Sequence, residues 1–257
     1  MKRYHLFEFE DLQWFPKFIR NYITDFLQFI SNKMDVYQSI TPVLLKGLKK
    51  SGHKKIVDLA AGGGGGWEKI LPRLKEIIPE LQITLTDYYP NAKAFKRMLK
   101  VDKESIKYVP ESINALDVPK QLVGMRTQFL SFHHFNYEDA KNILQNAVDA
   151  RMPIAVFEIQ ERNMEHVLKN IFSPIMVLLT APFIQPFSIG RIIFTYLIPI
   201  VPLAVLWDGV VSVLRTYSVE EMKKMTTELK NRTHFKWEIE KVKDGPITVL
   251  YLLGYPK

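Results

Sequence analysis

The sequence predicts an α/β fold built on a mostly parallel sheet with helices on both faces. From residue 54 onwards, short apolar runs alternate with amphipathic stretches of helical length. A run of five glycines, residues 62–66, separates the first apolar run from the first amphipathic stretch. Strands and helices that alternate in this way are typical of βαβ units. The right-handed crossover rule then places the connecting helices on both faces of the sheet.

The individual elements follow from this alternation, read in chain order. Helical spacing of apolar residues predicts helices within 11–50, with a stop at Ser51-Gly52. The core is predicted to contain strands over 55–59, 82–87, 106–109, 127–132 and 153–159, and helices over 67–78, 91–100 and 137–150. The chain is then expected to close with a helix over 218–230 and strands over 234–242 and 247–253.

Composition and charge narrow the classes of function. The chain has 257 residues, of which 47% are hydrophobic and none is cysteine, so a sizeable core is expected and thiolate chemistry is excluded. The net charge of +8 is spread along the chain without a nucleic-acid-binding signature, so no nucleic-acid partner is expected. The six histidines lack the i, i+4 spacing of metal ligands, so no metal is expected. Because no secretory pattern opens the sequence, the expected location is cytoplasmic.

The glycine run marks the predicted cofactor site. It lies between a buried strand and a helix, where backbone amides can approach a ligand closely, and ligands of open α/β sheets bind at the carboxyl ends of the strands. Asp87 ends the second strand, 23 residues after Gly64. An acid at about this spacing typically accepts hydrogen bonds from ribose hydroxyls. These residues fit either NAD or S-adenosylmethionine.

The segment from Asp58 to Gly64, DLAAGGG, resembles the first motif of class I S-adenosylmethionine-dependent methyltransferases, with Ala60 at a position where glycine is usual. In that family the loop wraps the methionine and ribose parts of the cofactor. The resemblance implies a Rossmann-like methyltransferase fold with a seven-stranded sheet in the order 3-2-1-4-5-7-6, the last strand antiparallel. It implies cofactor contacts for Asp58, Ala60, Gly62, Gly63, Gly64, Asp87, Tyr88, Asn114 and Ala115.

Two further segments carry the resemblance. The segment 111–115, ESINA, follows the third strand, where methyltransferases place a polar residue that hydrogen-bonds adenine. Asn114 either has that role or is a turn residue. The segment 131–135, SFHHF, follows the fourth strand and looks like the strand-end histidine pair of many small-molecule methyltransferases.

Methyl transfer from a sulfonium is an in-line displacement that depends on positioning and exclusion of water, and it needs a base only if the acceptor must lose a proton. His133 and His134 are the candidate catalytic bases because histidine titrates near neutrality. A packing role is the alternative for each. Because adjacent side chains on an extended segment point in opposite directions, at most one is expected to face the substrate.

Three residues are predicted to line the substrate side of the site: Glu158, Arg215 and Tyr217. Glu158 ends the fifth strand, and the other two precede the last helix. The alternative for Glu158 is a solvated carboxylate or an ion pair with Arg162, four residues further on.

Residues 166–214 depart from a minimal methyltransferase. The stretches 170–190 and 192–207 carry no charge, and Arg191 alone separates them. A membrane-spanning helix needs about 20 apolar residues, and five prolines interrupt these runs, so broken helices over the site are predicted. Their apolar face is expected to hold a hydrophobic acceptor, to contact a membrane surface, or to pair with a second subunit. A buried subdomain is the alternative.

The sequence therefore predicts a single methyltransferase domain that transfers methyl groups from S-adenosylmethionine to a small apolar acceptor. Its four parts are an N-terminal helical cap over 1–50, a cofactor-binding core over 54–165, a hydrophobic insertion over 166–214, and a C-terminal helix with a strand pair over 215–257. An NAD-dependent oxidoreductase is one alternative. A non-catalytic cofactor-binding or membrane-associated interaction protein is another.

Overall fold

The computed structural model describes residues 1–244 and 247–257 and contains a seven-stranded sheet in the order β3-β2-β1-β4-β5-β7-β6. The strands are β1 (Lys55–Asp58), β2 (Gln82–Leu85), β3 (Ile106–Tyr108), β4 (Met125–Phe129), β5 (Ile154–Glu158), β6 (Phe235–Lys243) and β7 (Thr248–Pro256). Strands β1 to β5 pair in parallel, whereas β7 runs antiparallel to both β5 and β6. The predicted strand order and the antiparallel last strand are confirmed.

Ten α-helices occur among the described residues. They are α1 (Lys17–Lys33), α2 (Thr41–Ser51), α3 (Trp67–Lys75), α4 (Ala92–Met98), α5 (Tyr137–Asp149), α6 (Met164–Ile171), α7 (Ser173–Thr180), α8 (Ile189–Ile192), α9 (Ile200–Arg215) and α10 (Val219–Thr227). Helix α2 ends at Gly52, whose φ of 69° lies in the left-handed region that glycine adopts easily. The predicted stop is therefore confirmed. Helix α1 begins only at Lys17, after Pro16, and not at residue 11 as predicted.

Both faces of the sheet are covered by helices, as predicted. Successive residues of a strand point to opposite faces, and so Ile56 joins the core beneath α2, α3 and α4 while Val57 joins the core beneath α5 and α10. A third apolar cluster lies outside these two layers. It packs Ile19, Ile23 and other α1 residues against the insertion that follows β5.

Strand β4 differs from its prediction. It starts at Met125 and ends at Phe129, and the extended run predicted up to residue 132 is wrong. Leu130 has a φ of 46°, which lies outside the extended region and ends the strand. Phe132–His134 then forms a 3₁₀ helix, so the two histidines lie on a helical turn.

The insertion consists of broken helices, as predicted. Helices α6, α7, α8 and α9 are joined by a 3₁₀ turn over Ala181–Phe183 and a π-helical turn over Ile193–Leu197. The stretch Met164–Phe183 has the length and apolar composition of a membrane-crossing helix with only 11% of it buried, whereas the pair Ile189–Leu197 and Ile200–Arg215 is bent by 75°. The buried-subdomain alternative is wrong, because large apolar side chains along the insertion remain exposed to solvent.

The first sixteen residues fold against the insertion. A carboxylate of α9, Asp208, accepts hydrogen bonds from the backbone N–H of Phe9 at 2.7 Å and of Glu10 at 3.3 Å. The indole N–H of Trp207 donates to the carbonyl of Phe7 at 3.0 Å. These contacts fix the N-terminal segment beside the carboxyl ends of the parallel strands.

Candidate active site

The glycine loop follows β1 and turns tightly beneath α1. Gly62 has a φ of 53°, in the left-handed region. A Cβ atom at Gly63 would lie 2.8 Å from the backbone oxygen of Thr24, so α1 approaches the loop too closely for a side chain at this position. The local sequence therefore serves two purposes, a tight turn and a close helix contact.

Asp87 connects this loop to the end of β2. Its Oδ2 accepts a hydrogen bond from the backbone N–H of Gly62 at 2.7 Å, and its Oδ1 accepts one from Tyr89 at 2.7 Å. Burial raises the pKa of Asp87, and these two donors act in the opposite direction by stabilising the carboxylate. The carboxylate holds the loop in place and keeps lone pairs directed towards the cavity that it lines.

A cavity of about 310 Å³ opens at the carboxyl ends of β1, β2 and β4, beneath α1. Of the nine residues predicted to contact a cofactor, five line this cavity: Ala60, Gly62, Gly63, Asp87 and Tyr88. The sheet edge, the loop and the strand-end acid thus meet as the sequence predicts. The volume lies within the range of small-molecule sites, which is about 300–1,000 Å³.

Asp58, also predicted to contact the cofactor, is instead part of the core. It is 1% exposed, and its carboxylate accepts hydrogen bonds from the Trp67 indole at 2.8 Å and the Thr127 hydroxyl at 2.6 Å. Burial raises its pKa to about 7, although these two donors act in the opposite direction. Asp58 therefore ties β1 to β4 and α3 and does not line the cavity.

The structure also corrects three other predicted cofactor residues. Gly64 faces the Met98 side chain, which would lie 2.6 Å from an added Cβ. Asn114 is exposed, and its side-chain oxygen accepts a hydrogen bond from the backbone N–H of Leu116 at 2.9 Å. This is the turn role that was its alternative. Ala115 is buried in the core beneath α5 and α10.

The raised pKa of Asp58 has a consequence for stability. Because the folded chain binds this proton more tightly than the unfolded chain, the protonated Asp58 carboxyl stabilises the folded chain at low pH. This contribution is lost as the pH rises from the ordinary pKa of 3.8 to the raised pKa of about 7. We expect the stability of the wild-type chain relative to Asp58→Asn to fall between about pH 5 and about pH 8. Urea denaturation of both chains at the two pH values measures it. Parallel pH profiles would contradict the prediction, and exposed Asp117→Asn is the control.

The two histidines lie side by side. Their ring centroids are 4.5 Å apart and the ring planes are 32° apart. The prediction that they point in opposite directions is wrong, because a 3₁₀ turn and not an extended segment carries them. His133 is 1% exposed, whereas His134 is partly exposed and lines the cavity.

A carboxylate holds the Nδ1 atom of each imidazole. The Nδ1 atom of His133 lies 3.0 Å from Oε2 of Glu158. The other oxygen of Glu158, Oε1, accepts a hydrogen bond from the backbone N–H of His133 at 3.1 Å. The Nδ1 atom of His134 lies 2.7 Å from Oδ1 of Asp11. Burial opposes protonation of His134, but the Glu8 and Asp11 carboxylates outweigh it and raise the pKa to about 10.

The three residues predicted for the substrate side support the histidine segment from behind and line neither the 310 Å³ cavity nor the one that adjoins it. Glu158 binds His133 and is not solvated, and Arg162 pairs with Glu221 instead, through two contacts of 3.0 Å. Arg215 is 1% exposed. The hydroxyl of Tyr217 donates to the carbonyl of Phe135 at 2.9 Å. The predicted substrate-lining role is therefore wrong for all three residues.

Arg215 connects the histidines to the N-terminal segment. Its Nη1 lies 2.6 Å from Oδ2 of Asp11 and 3.1 Å from Oε1 of Glu8, and its Nε donates to the carbonyl of His133 at 3.2 Å. Glu8 is 1% exposed, and its two oxygens lie 3.8 Å and 3.6 Å from the Nε2 atoms of His133 and His134. One arginine thus holds two acids of the N-terminal segment against the histidine turn.

The acids of the N-terminal segment, Glu8, Glu10 and Asp11, are the site residues that sequence reasoning missed. Their signal was visible, since three carboxylates interrupt an aromatic-rich segment from Tyr4 to Phe15. In the structure, Glu10 and Asp11 line the 310 Å³ cavity.

A second cavity of about 640 Å³ adjoins the first. Glu10, Leu130 and His134 belong to the walls of both cavities. The second cavity is otherwise walled by α1, by the insertion helices α6, α7 and α9, and by residues after β5 and at the turn between β6 and β7. Its lining includes apolar residues such as Phe26 and charged residues such as Glu165 and Lys169. The insertion therefore forms part of the wall of this second cavity.

Solved structures with a similar fold include methyltransferases. An O-methyltransferase family protein from Burkholderia thailandensis aligns with a TM-score of 0.52 and 12% identity over 93% of this chain and 59% of its own. An O-methyltransferase from Nostoc punctiforme gives a TM-score of 0.49 and 14% identity over 89% and 59%. A structure described as a zinc-dependent alcohol dehydrogenase from Rhodobacter sphaeroides aligns with a TM-score of 0.50 and 13% identity. The alignment covers 92% of this chain and 98% of that one.

This chain covers 54–59% of the length of the first four solved structures it matches. Comparison with protein-family models and with curated proteins gives no match. The likeness to solved structures therefore concerns the fold alone.

Proposed function

We propose that this chain, which has the class I methyltransferase fold, transfers a methyl group from S-adenosylmethionine to a small apolar acceptor at a lipid surface. The observation that carries the proposal is the pair of adjoining cavities. One lies at the strand ends beside the glycine loop, and the other lies beneath the apolar insertion.

The charge of the first cavity favours S-adenosylmethionine over NAD. Asp11 and Asp87 line it, and Arg20 is the one arginine or lysine among its wall residues. A third acid of the wall, Glu10, has a pKa that burial raises well above its ordinary value. Arg20 already donates to the carbonyls of Glu10 at 3.0 Å and Leu12 at 2.7 Å. A sulfonium and an ammonium group gain from such carboxylates, whereas a pyrophosphate is repelled by them.

The loop residues fit the cofactor. Gly62 and Gly63 present backbone without side chains to the cavity, and Asp87 lies where ribose hydroxyls are bound in this fold. When bound, S-adenosylmethionine supplies an electrophilic methyl group on a sulfonium. The chain has to hold the acceptor, exclude water and accept a proton where the acceptor carries one.

Glu10 and His134 are the residues placed to contact the acceptor. Both belong to the walls of the two cavities, so they lie at the junction where the reacting atoms would meet. His134 is held by Asp11, which fixes the orientation of its ring. His133 lines only the second cavity and is oriented by Glu158.

Calorimetry with the purified chain tests the cofactor. We expect S-adenosylhomocysteine to bind in the micromolar range, which is common for a preformed pocket, and NAD to show no binding at the same concentrations. NAD binding without S-adenosylhomocysteine binding would favour the oxidoreductase alternative. Absence of both would favour the non-catalytic alternative.

The insertion presents an apolar face to the outside, defined here by Leu179, Phe183, Ile189, Leu197 and Leu203. Their side chains are between 59% and 78% exposed. Exposed apolar surfaces of this kind are uncommon on soluble monomers and mark interaction sites. The face carries no charge, since the stretches 170–190 and 192–207 have none and Arg191 is 1% exposed.

A lipid surface fits this face better than a second copy of the chain. The pair Ile189–Leu197 and Ile200–Arg215 is bent by 75°, so it suits a position in the interfacial plane of a bilayer, with an apolar side turned inwards. The net charge of +8 favours anionic headgroups. Helices α7 and α9 contribute both to this face and to the wall of the second cavity, so a lipid contact here would bring a lipid-dissolved acceptor close to the site.

Vesicle flotation tests the lipid contact. We expect the wild-type chain to float with anionic vesicles and the triple variant Leu179→Ser, Ile189→Ser and Leu197→Ser to bind at least about tenfold less. Burying one such side chain completely is worth about 1.5–3 kcal/mol. Losing three partly buried ones therefore costs more than the roughly 1.4 kcal/mol that corresponds to a tenfold change in affinity.

The matched control replaces exposed apolar residues of the core domain with serine: Ile77, Val101 and Val123, which are between 39% and 50% exposed. This variant should float as the wild type does. No flotation of the wild type, together with a dimer by sedimentation that the insertion variant abolishes, would assign the apolar face to a second copy instead.

A further inference from the structure

We propose that Glu8, His133 and His134 form a binding site for a divalent transition-metal ion such as Zn²⁺. The proposal does not depend on methyl transfer, because it rests on side chains outside the glycine loop. It differs from the sequence expectation of no metal, which considered histidine spacing alone. Two ligands are adjacent in sequence, and the third comes from the N-terminal segment.

The three side chains offer ligand atoms at a suitable separation. One ring nitrogen of each histidine and one carboxylate oxygen of Glu8 all lie within 4.8 Å of one another. Neighbouring ligand atoms around a tetrahedral ion lie about 3.4 Å apart when each ligand is about 2.1 Å from the metal. The observed Glu8 distances of 3.8 Å to His133 and 3.6 Å to His134 need only small side-chain rotations to reach this geometry.

One of the ligand atoms, Nε2 of His133, has no hydrogen-bond partner among the described residues, and its side chain is 1% exposed. Buried polar atoms are rarely left without a partner in folded proteins. A metal ion bound to this nitrogen supplies the missing interaction.

The groups behind the histidines orient them as metal ligands. In metal sites, the ligating histidine usually donates its other ring N–H to a carboxylate or carbonyl. Here Nδ1 of His133 faces Glu158 at 3.0 Å and Nδ1 of His134 faces Asp11 at 2.7 Å. Both Nε2 atoms are therefore left to point towards Glu8.

The charge balance also favours a cation. Glu8, Asp11, Glu158 and Asp208 all lie in this network, and within the described parts of the chain Arg215 is the only arginine or lysine that contacts any of these four carboxylates. Arg215 lies 3.1 Å from Oε1 of Glu8 and so favours the ionised carboxylate that a metal requires. The Glu8 and Asp11 carboxylates also raise the pKa of His134, so a divalent ion takes the place of the proton that this imidazole otherwise holds.

The ligand set specifies the class of metal. Two imidazole nitrogens and one carboxylate suit Zn²⁺, Fe²⁺ or Mn²⁺, whereas Mg²⁺ and Ca²⁺ prefer oxygen ligands throughout. Three protein ligands leave at least one coordination position open. All three ligands line the second cavity, so that position would be accessible to a water molecule or an oxygen atom of a molecule held there.

Calorimetric titration of the untagged, chelator-treated full chain with Co²⁺ and Zn²⁺ tests the site, without any cofactor present. We expect one ion per chain, and a visible d–d absorption for the Co²⁺ form. Glu8→Gln and His134→Gln should each weaken binding at least tenfold. The control His53→Gln with His234→Gln removes two histidines far from the site and should bind as the wild type does.

X-ray absorption of the Zn²⁺-loaded wild-type chain provides a readout that needs no variant. Two imidazole ligands and oxygen ligands are expected, and fewer than two imidazoles would overturn the proposal. Binding that is absent, or that the control variant loses while Glu8→Gln and His134→Gln retain it, would overturn it as well. Because these measurements omit S-adenosylmethionine, their failure would leave the methyltransferase proposal untouched, and the reverse also holds.

Discussion

Replacing Asp87 by alanine should weaken S-adenosylhomocysteine binding by about tenfold to a hundredfold while the chain stays folded. A hydrogen bond to a charged group is worth about 1.5–3 kcal/mol, and Asp87 makes two within the protein besides those it would offer to a ribose. It accepts the backbone N–H of Gly62 and of Tyr89, each at 2.7 Å. Its loss therefore removes a ligand contact and also loosens the loop. Calorimetry measures the affinity, and circular dichroism checks the fold.

The matched control is Asp117→Ala, an exposed aspartate that does not line the cavity. It should leave the affinity unchanged. Asp87→Asn separates the two contributions, because the amide keeps one acceptor oxygen and loses the charge. If Asp87→Ala binds the ligand as tightly as the wild type does, Asp87 does not bind the ribose. That result would also contradict the assignment of the first cavity as the cofactor site.

The fold followed closely from local sequence patterns. Period-two and helical apolar patterns are local signals, and the strand order came with the family resemblance that the glycine loop carries. The errors lie where a single residue changed the backbone. Leu130 has a φ of 46° and ends β4 early, which no apolar pattern shows. That early end places both histidines on one turn, and so a boundary error of a few residues changed the predicted chemistry.

The candidate site was less predictable because its contacts are distant in sequence. The acid that orients His134 is Asp11, 123 residues away, and Glu8 approaches both histidines from the same segment. Spacing rules for metal ligands consider neighbouring positions and cannot find such a set. The predicted cofactor contact of Asp58 is wrong for another reason. The motif fixes its place at the end of β1, but Trp67 and Thr127 occupy its carboxylate.

Arg191, within the insertion, is another residue whose contacts the sequence could not predict. The sequence reveals one charge between two apolar stretches but not the direction in which it points. In the structure its guanidinium is 1% exposed and donates to the backbone carbonyls of Ala181 at 3.2 Å, Pro186 at 2.8 Å, and Ile184. It also lies 3.6 Å from Asp25 of α1. The single charge therefore organises the turn between α7 and α8 instead of facing a membrane.

We expect Arg191→Met to destabilise the chain by about 2–4 kcal/mol, because three buried carbonyls lose a charged donor. Asp25 remains paired with Arg97, so the loss falls mainly on the turn over residues 181–186. Urea denaturation measures the change, and limited proteolysis should cut the variant within or beside that turn before the rest of the chain.

The control is Arg232→Met, an exposed arginine outside the insertion, which should change stability by less than about 0.5 kcal/mol. Arg191→Lys should recover only part of the loss, since a compact ammonium cannot reach three carbonyls in the planar arrangement of a guanidinium. The turn joins the two halves of the apolar face, and so Arg191→Met should also reduce flotation with anionic vesicles. Wild-type stability and flotation in this variant would show that the apolar face does not depend on the buried arginine.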